Sequence, residues 1–143
     1  MLLNQTSHPQ RQTWLLVLLV INIILSILHY SDNLIHFDAY PEPDWFSPYL
    51  TDSIWWVMTP CGLAGFWFYR QQKFRWSYLG LYSYALLSQL TLGHYVVAPI
   101  WELTLKMNSL ILLEAWAAIP LAVFTVWSQF ILKEGQSMVP SDP

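Results

Sequence analysis

The chain has 143 residues, of which 55% are hydrophobic and 10% are charged, and its formal net charge is −3. A soluble domain typically carries about 25% charged residues, so this composition indicates a protein whose solvent is mostly lipid. The sequence has no basic cluster that would bind a phosphate backbone, so no nucleic-acid partner is expected. Its single cysteine, Cys61, excludes an intrachain disulfide and any cysteine-based zinc motif.

The apolar runs predict an all-α integral membrane protein, a four-transmembrane-helix bundle that forms one domain over residues 1–143. The predicted spans cover about 14–30, 53–69, 76–97 and 109–132. Residues 1–13 are polar and predict a short disordered tail. A signal peptide is the alternative interpretation of the first run, but no small-residue cleavage site follows it.

A polar stretch follows the first apolar run. If the helix continues through it, the helical period places four polar side chains on one face. These are His29, Asp32, Asn33 and His36. Four polar groups on one face, where a membrane segment meets water, predict a site at this position.

The segment 31–52 is acidic and contains no lysine or arginine. Its prolines, Pro41, Pro43 and Pro48, prevent a continuous helix. Because Trp45 and Phe46 make the segment too apolar to lie in water, we expect an outer loop between helices 1 and 2 that lies on the membrane surface.

Spans two and three are joined by a short basic turn that contains Arg70, Lys73 and Arg75. Span three then carries polar side chains at i, i+4, i+7 and i+11, which face protein or a cavity when they lie in a membrane helix. This polar stripe, a predicted ligand-binding surface together with Asn33, consists of Tyr84, Ser88, Thr91 and Tyr95.

Span four carries an acidic residue, Glu114, near its beginning and Pro120 in its middle. An acidic side chain within a span is costly, so Glu114 is a functional-site hypothesis. Small residues at spacings of three and four (Ala115, Ala118 and Ala122) permit close helix approach and suggest homo-oligomerisation as one variant. The polar tail to Pro143 predicts disorder.

The distribution of cations predicts the topology. The two tails and the turn between spans two and three hold five of the six lysines and arginines; the other two loops hold only Lys106. By the positive-inside rule, both termini are cytoplasmic and the acidic loop faces outward. His29, His94 and Glu114 then lie in the same outer layer, although they come from different spans.

This layer predicts an outward-facing site of histidines and carboxylates. Imidazole and carboxylate ligands suit zinc, iron or manganese, so a divalent transition metal is one hypothesis and haem is the weaker one. The candidate metal ligands are His29, Asp32, His36, His94 and Glu114. Alternatively, Glu114 and His94 are catalytic acid–base groups acting on a small apolar molecule.

The layout also resembles the EXPERA group of membrane proteins, which includes sterol isomerases and sterol-binding receptors. The resemblance covers the four spans, the stretch 41–46 (Pro-Glu-Pro-Asp-Trp-Phe) and the proline within span four. It implies a sterol or lipid isomerase or a binding protein. The acidic residue of that group is absent from span two, where 54–56 read Ile-Trp-Trp, so Asp32 and Glu114 would have to substitute for it.

These observations favour a multi-pass membrane protein that binds a metal or a small apolar ligand, and they do not decide whether it is an enzyme. The alternative is a non-catalytic subunit or assembly factor of a larger membrane complex, which the nine tryptophans and the small soluble mass suit. The expected partners are the lipid bilayer, an apolar small molecule, other membrane subunits or a second copy of the chain.

Overall fold

The computed structural model describes residues 8–135, and these residues form helices, turns and loops without a strand. The helices are α1 (His8–Ile35), α2 (Pro48–Arg70), α3 (Phe74–Ser88), α4 (His94–Val97) and α5 (Leu105–Val126). Short 3-10 helices cover Phe37–Ala39 and Gln89–Gly93, and a π-helical turn, Trp127–Ile131, extends α5. Of the predicted disordered tails, residues 1–7 and 136–143 lie outside the described residues.

The helix bounds correct several sequence expectations. Within the described residues helix α1 covers His8–Ile35, so the part of the predicted tail from 8 to 13 is helical, and Arg11 in it is buried in an ion pair with Glu134. The predicted third span is interrupted, because a 3-10 helix at Gln89–Gly93 separates α3 from α4. Helix α1 continues to Ile35, as the predicted polar face requires, and His36 follows its last residue.

Two helix starts follow from capping chemistry. The Ser47 hydroxyl accepts from the Leu50 backbone N–H at 3.3 Å, and Pro48 occupies the first helical position, where its missing N–H costs nothing. The Thr104 hydroxyl caps α5 in the same way, accepting from Met107 N at 3.2 Å. Pro48 is therefore the first residue of α2 and not part of the irregular loop.

The helices pack as a four-membered bundle in which α1 contacts α2 and α5, and α3 contacts the same two helices. The apolar core contains Leu15 and Leu19 of α1, Met58 of α2 and Leu121 of α5. Of the small residues in α5, Ala115 and Ala118 are buried within the chain itself. Asn22 fastens α1 to α5, because its Nδ2 donates to the Ala117 carbonyl oxygen at 2.8 Å.

The two ends of the bundle differ in charge. One end, called the basic end here, carries the turn between α2 and α3 with Arg70 and Lys73, and His8 stacks on Tyr69 there at 5.7 Å between ring centroids. The opposite, acidic end carries the loop 36–47 with its carboxylates. Neighbouring helices run antiparallel between these two ends, as the short turn at 71–73 requires.

Two helices are long and apolar enough to cross a membrane: His8–Ile35 and the stretch Leu105–Ile131. Within their most apolar windows only 28% and 33% of the residues are buried in the structure.

Helices α2 and α3 cross at glycines, which yields a stability prediction. A Cβ atom on Gly80 would lie 2.6 Å from the Cys61 carbonyl oxygen and 2.9 Å from Gly65 Cα, and backbone atoms cannot move aside. We expect Gly80→Ala to lower the free energy of unfolding by about 1–3 kcal/mol through overpacking. Thermal unfolding followed by circular dichroism in mild detergent measures the change.

The matched control is Gly93→Ala, because a Cβ at Gly93 meets no described atom within 4 Å. This variant should stay within about 0.5 kcal/mol of the wild type. Equal unfolding midpoints for the two alanine variants would show that α2 and α3 can accommodate a Cβ atom at Gly80, contrary to the prediction.

Candidate functional site

The inward face of α1 is polar over its second half. Asn22, Ser26, His29 and Asn33 follow the helical period and are all buried. Polar side chains in an apolar environment are retained inside the bundle, where other helices supply hydrogen-bond partners. At the acidic end this face meets α5, α4 and the loop 36–47, and the candidate site lies where they converge.

A buried histidine–carboxylate pair lies at the base of the site. His29 Nδ1 lies 2.5 Å from Glu114 Oε2, and the side chains are only 3% and 1% exposed. Thr91 Oγ1 lies 3.0 Å from the same imidazole nitrogen. These contacts use one side of the His29 ring, and its Nε2, although buried, has no hydrogen-bond partner within residues 8–135.

Above this pair, Asn33 links the loop to α4. Its Nδ2 donates to Glu42 Oε1 at 2.9 Å and lies 3.5 Å from His94 Nε2. His94 is fixed from its other side, because its Nδ1 donates to the Pro41 carbonyl oxygen at 3.2 Å. The His29 and His94 rings meet edge to face with centroids 5.4 Å apart.

The loop 36–47 folds over the end of the bundle and is fastened there. The Tyr40 hydroxyl donates to Asp32 Oδ2 at 2.8 Å, and Lys106 Nζ donates to Asp32 Oδ1 at 2.7 Å. Burial, together with the bond to Asp32, raises the pKa of Tyr40, so its hydroxyl remains a donor at neutral pH. Asp32 thereby connects α1, the loop and the first turn of α5.

These elements enclose a cavity of about 320 Å³. That volume is at the lower end of the range of small-molecule sites, about 300–1,000 Å³. Polar groups line one part of the cavity: His29, Asn33, Glu42, Thr51, Thr91 and His94. Aromatic and aliphatic groups line the rest, including Tyr30, Trp45, Phe46, Ile54 and Leu90. An apolar wall with a few convergent polar groups is the usual composition of a small-molecule site.

The structure divides the predicted metal ligands into two groups. His29, His94 and Glu114 come together at the cavity, whereas Asp32 and His36 belong to the loop fastening, where the His36 side chain is 47% exposed. No set of three or more His, Cys, Asp or Glu side chains in the described part of the chain is arranged to hold a metal ion. A bound metal therefore stays a prediction.

The predicted catalytic and ligand-binding residues also separate. His94 lines the cavity, while Glu114 contacts it only through His29. Of the polar stripe, only Thr91 lines the cavity. Tyr84 is buried in the apolar core, Ser88 donates to Met58 Sδ at 3.4 Å, and Tyr95 donates to Asn108 at 3.0 Å. The 3-10 segment interrupts the helix, so the stripe does not face one surface throughout.

Sequence reasoning did not identify Glu42, Thr51, Trp45 and Phe46 as residues of the site, although all four line the cavity. The sequence does contain a signal for Glu42, which lies between two prolines. A rigid Pro-Glu-Pro segment holds its carboxylate in one place. The hypothesis of a surface-lying loop overlooked the inward direction of Glu42, although Trp45 and Tyr49 do remain exposed.

Burial raises the pKa of the Glu42 carboxyl, while the hydrogen bond from Asn33 opposes the shift. A folded-state pKa above the unfolded value makes ionisation of Glu42 unfavourable in the folded protein, so stability falls as pH rises through the raised pKa. We expect the wild type to gain stability relative to Glu42→Gln as the pH falls below neutral towards the usual glutamate range.

Unfolding midpoints of wild type and Glu42→Gln, measured at matched pH values, test this expectation. The glutamine keeps the shape and an oxygen acceptor for Asn33 but does not titrate. Parallel pH profiles for the two proteins would mean that Glu42 is not the titrating group in this range.

No protein-family model matches the chain, and no curated protein or solved structure matches it either. The resemblance to the EXPERA group therefore stays a prediction from the layout of the sequence, and the geometry of the cavity is the basis for assigning a function.

Proposed function

We propose that the chain is a four-span membrane protein that binds a small molecule with an apolar body in the cavity at its acidic end. The observation that carries the proposal is a buried polar atom without a partner in the described structure, His29 Nε2, on a residue that lines a cavity with aromatic walls. Buried polar groups are nearly always paired, so such an atom needs an explanation. A polar group on the ligand would supply the partner.

Membrane insertion is supported by the surface of the bundle. Large apolar side chains such as Trp14, Ile24, Trp56 and Trp116 are exposed around it, whereas soluble monomers seldom expose a contiguous apolar surface of this kind. Meanwhile the polar side chains Asn22, Ser26 and His29 face inward. Apolar outside and polar inside is the arrangement that lipid requires.

The distribution of charge supports an orientation with both termini in the cytoplasm and the cavity facing outward. The basic end carries Arg11, Arg70, Lys73 and Lys133, whereas Lys106 at the acidic end already pairs with Asp32. Single cysteines introduced at Gln72 and Asp44 in a Cys61→Ser background test this with a membrane-impermeant thiol reagent. Labelling of intact cells at position 44 alone is expected, and labelling at 72 alone would reverse the orientation.

The binding function is tested by extracting the protein purified in mild detergent and identifying the released molecules by mass spectrometry. The wild type is expected to release one small molecule in near-equimolar amount, and His29→Ala is expected to lack it. The matched control is His36→Ala, which removes a half-exposed histidine at the same end of the bundle and should leave the ligand bound.

Equal recovery from wild type and His29→Ala would contradict binding in this cavity. Elemental analysis of the same samples tests the metal hypothesis, since a transition metal lost only with His29→Ala would make the site a metal centre.

A second candidate function, a subunit of a larger membrane complex, is favoured by a separate apolar groove of about 750 Å³ between α3 and α5. The groove is lined by residues such as Leu86, Ile119, Ala122 and Val126, which a neighbouring span could contact. The same purification decides between the two candidates, because a subunit would carry a stoichiometric partner protein and no small molecule.

A further inference from the structure

The polar atoms that the cavity leaves unsatisfied are of one kind, and this restricts the chemistry of the ligand. Two residues lining it have a buried side-chain atom with no hydrogen-bond partner in the described region: Oδ1 of Asn33 and Nε2 of His29. Their side chains are almost fully buried, with 2% and 3% of their surfaces exposed. Bulk water can form a hydrogen bond with either atom only by entering the cavity.

The orientation of the Asn33 amide follows from its neighbours. Its other terminal atom lies 2.9 Å from Glu42 Oε1, and an ionised carboxylate only accepts hydrogen bonds, so the atom facing Glu42 is the NH₂ group. The second amide proton is directed at His94 Nε2, 3.5 Å away, which is a bare acceptor because the Nδ1 proton is given to Pro41. Asn33 Oδ1 is therefore an acceptor that still needs a donor.

The same reasoning applies to His29. Glu114 Oε2 is 2.5 Å from Nδ1, and we assign the imidazole proton to Nδ1, from which it is donated to this carboxyl oxygen. The Thr91 hydroxyl oxygen lies 3.0 Å from the same nitrogen, so both polar neighbours of the ring are at Nδ1. Nε2 then presents a lone pair to the cavity, and it is the second acceptor that lacks a donor.

The charges around the cavity are also of one sign. Glu42 lines it and Glu114 lies behind His29, whereas the cavity has no lysine or arginine among its lining residues in the described structure. Lys106, which lies at the acidic end, pairs with Asp32 at 2.7 Å. A ligand anion would meet the Glu42 carboxylate and two acceptors in a site with little access to water, where like charges repel strongly.

We infer that the polar end of the ligand donates hydrogen bonds and carries no negative charge. It is a hydroxyl or an amino group that pairs with His29 Nε2 and Asn33 Oδ1, on an apolar body that contacts Trp45 and Phe46. Fatty acids and phosphate esters are excluded by this arrangement, although they are abundant in membranes. The inference deepens the proposed function and rests on it, because it specifies which small molecules the cavity accepts.

Four probes with one naphthyl body test the inference: naphthylethanol, its methyl ether, naphthylethylamine and naphthylacetate. Binding to the full chain in lipid nanodiscs is measured by calorimetry, with empty nanodiscs subtracted. The alcohol and the amine are expected to bind at least about tenfold more tightly than the ether and the carboxylate, since a site built to receive a donor rejects analogues that lack it. Whichever of the alcohol and the amine binds more tightly indicates whether the ligand's donor is a hydroxyl or an amino group.

Variants assign the effect to the named atoms. Asn33→Ala should weaken the alcohol and the amine by about tenfold by removing one acceptor, whereas His36→Ala should leave all four affinities unchanged. Glu42→Gln, which keeps the shape of the side chain, should lower the ratio of amine to alcohol affinity by removing one charge. In addition, the ¹⁵N spectrum of the histidine side chains should report an unprotonated Nε2 in His29.

The outcomes separate the inference from the function on which it rests. Binding of the ether or the carboxylate as tight as that of the alcohol, lost with His29→Ala, would overturn the donor requirement while preserving a binding site. If none of the four probes binds, the inference is overturned as well, and the extraction experiment with its His36→Ala control still decides independently whether the cavity binds a molecule.

Discussion

Glu114→Ala is expected to lower the free energy of unfolding by about 1–3 kcal/mol, because it leaves the buried Nδ1–H of His29 without its carboxylate acceptor. The Glu114 carboxylate is 1% exposed and lies 2.5 Å from His29 Nδ1. In the variant, Thr91 would be the remaining neighbour of that nitrogen in the described structure. Thermal and denaturant unfolding in mild detergent measure the loss.

Two comparisons make the Glu114 result interpretable. Glu114→Gln retains an oxygen that can accept from His29 Nδ1, so its cost should be closer to about 1 kcal/mol. Glu102→Ala removes an exposed carboxylate at the same end of the bundle and should stay within about 0.5 kcal/mol of the wild type. An alanine at 114 that is tolerated as well as an alanine at 102 would refute the buried pair.

The second large effect is expected at the basic end, where Glu134→Ala should cost about 3–5 kcal/mol. Glu134 Oε1 lies 2.9 Å from Arg11 Nε, with both side chains only 8% exposed. Its Oε2 accepts from the Tyr69 hydroxyl at 2.7 Å and from the Ser128 hydroxyl. The variant removes the carboxylate that these donors share and leaves the Arg11 guanidinium buried without that counter-charge.

The double variant Arg11→Met, Glu134→Leu provides the test of mechanism. Replacing both members of a buried ion pair by apolar groups is often neutral, so most of the loss in Glu134→Ala should be recovered. Asp44→Ala, which changes an exposed carboxylate, is the control. A double variant that is as unstable as the single one would mean that the Tyr69 and Ser128 hydrogen bonds, not the ion pair, account for the effect.

The number of long helices and their approximate positions could be predicted because hydrophobic periodicity is a local property of the sequence. The short basic turn between α2 and α3 and the continuation of α1 past His29 are examples. Helix ends were less predictable. The helical segment 8–13 is stabilised by Arg11 contacting Glu134, a residue more than a hundred positions away, and no local pattern indicates such a pair.

The proximity of three candidate site residues could also be predicted, whereas their function stays a prediction. His29, His94 and Glu114 were expected in one layer from the topology alone, and the structure brings them together around the cavity. Asp32 and His36 lie apart from these three residues, because Asp32 bonds to Tyr40 in the loop and to Lys106. The position of Glu42 depends on how a proline-rich loop packs against Asn33, which is set by tertiary contacts.

The stripe on span three shows a second limit of sequence patterns. A uniform α-helical period predicts one face for Tyr84, Ser88, Thr91 and Tyr95, but the backbone changes to a 3-10 helix at Gln89–Gly93. A 3-10 helix has fewer residues per turn than an α-helix, so side chains beyond it shift around the axis. Thr91 consequently meets His29, while Tyr95 meets Asn108 in the first turn of α5.

The most direct test of the central claim, that the cavity holds a small molecule, is photo-crosslinking from inside it. A diazirine-bearing phenylalanine is placed at Phe46, which lines the cavity, and in a second protein at Trp67, which is exposed on α2. After irradiation in cells, position 46 is expected to carry one added small molecule of a single mass, and position 67 only heterogeneous lipid. The same lipid adducts at both positions would contradict the account.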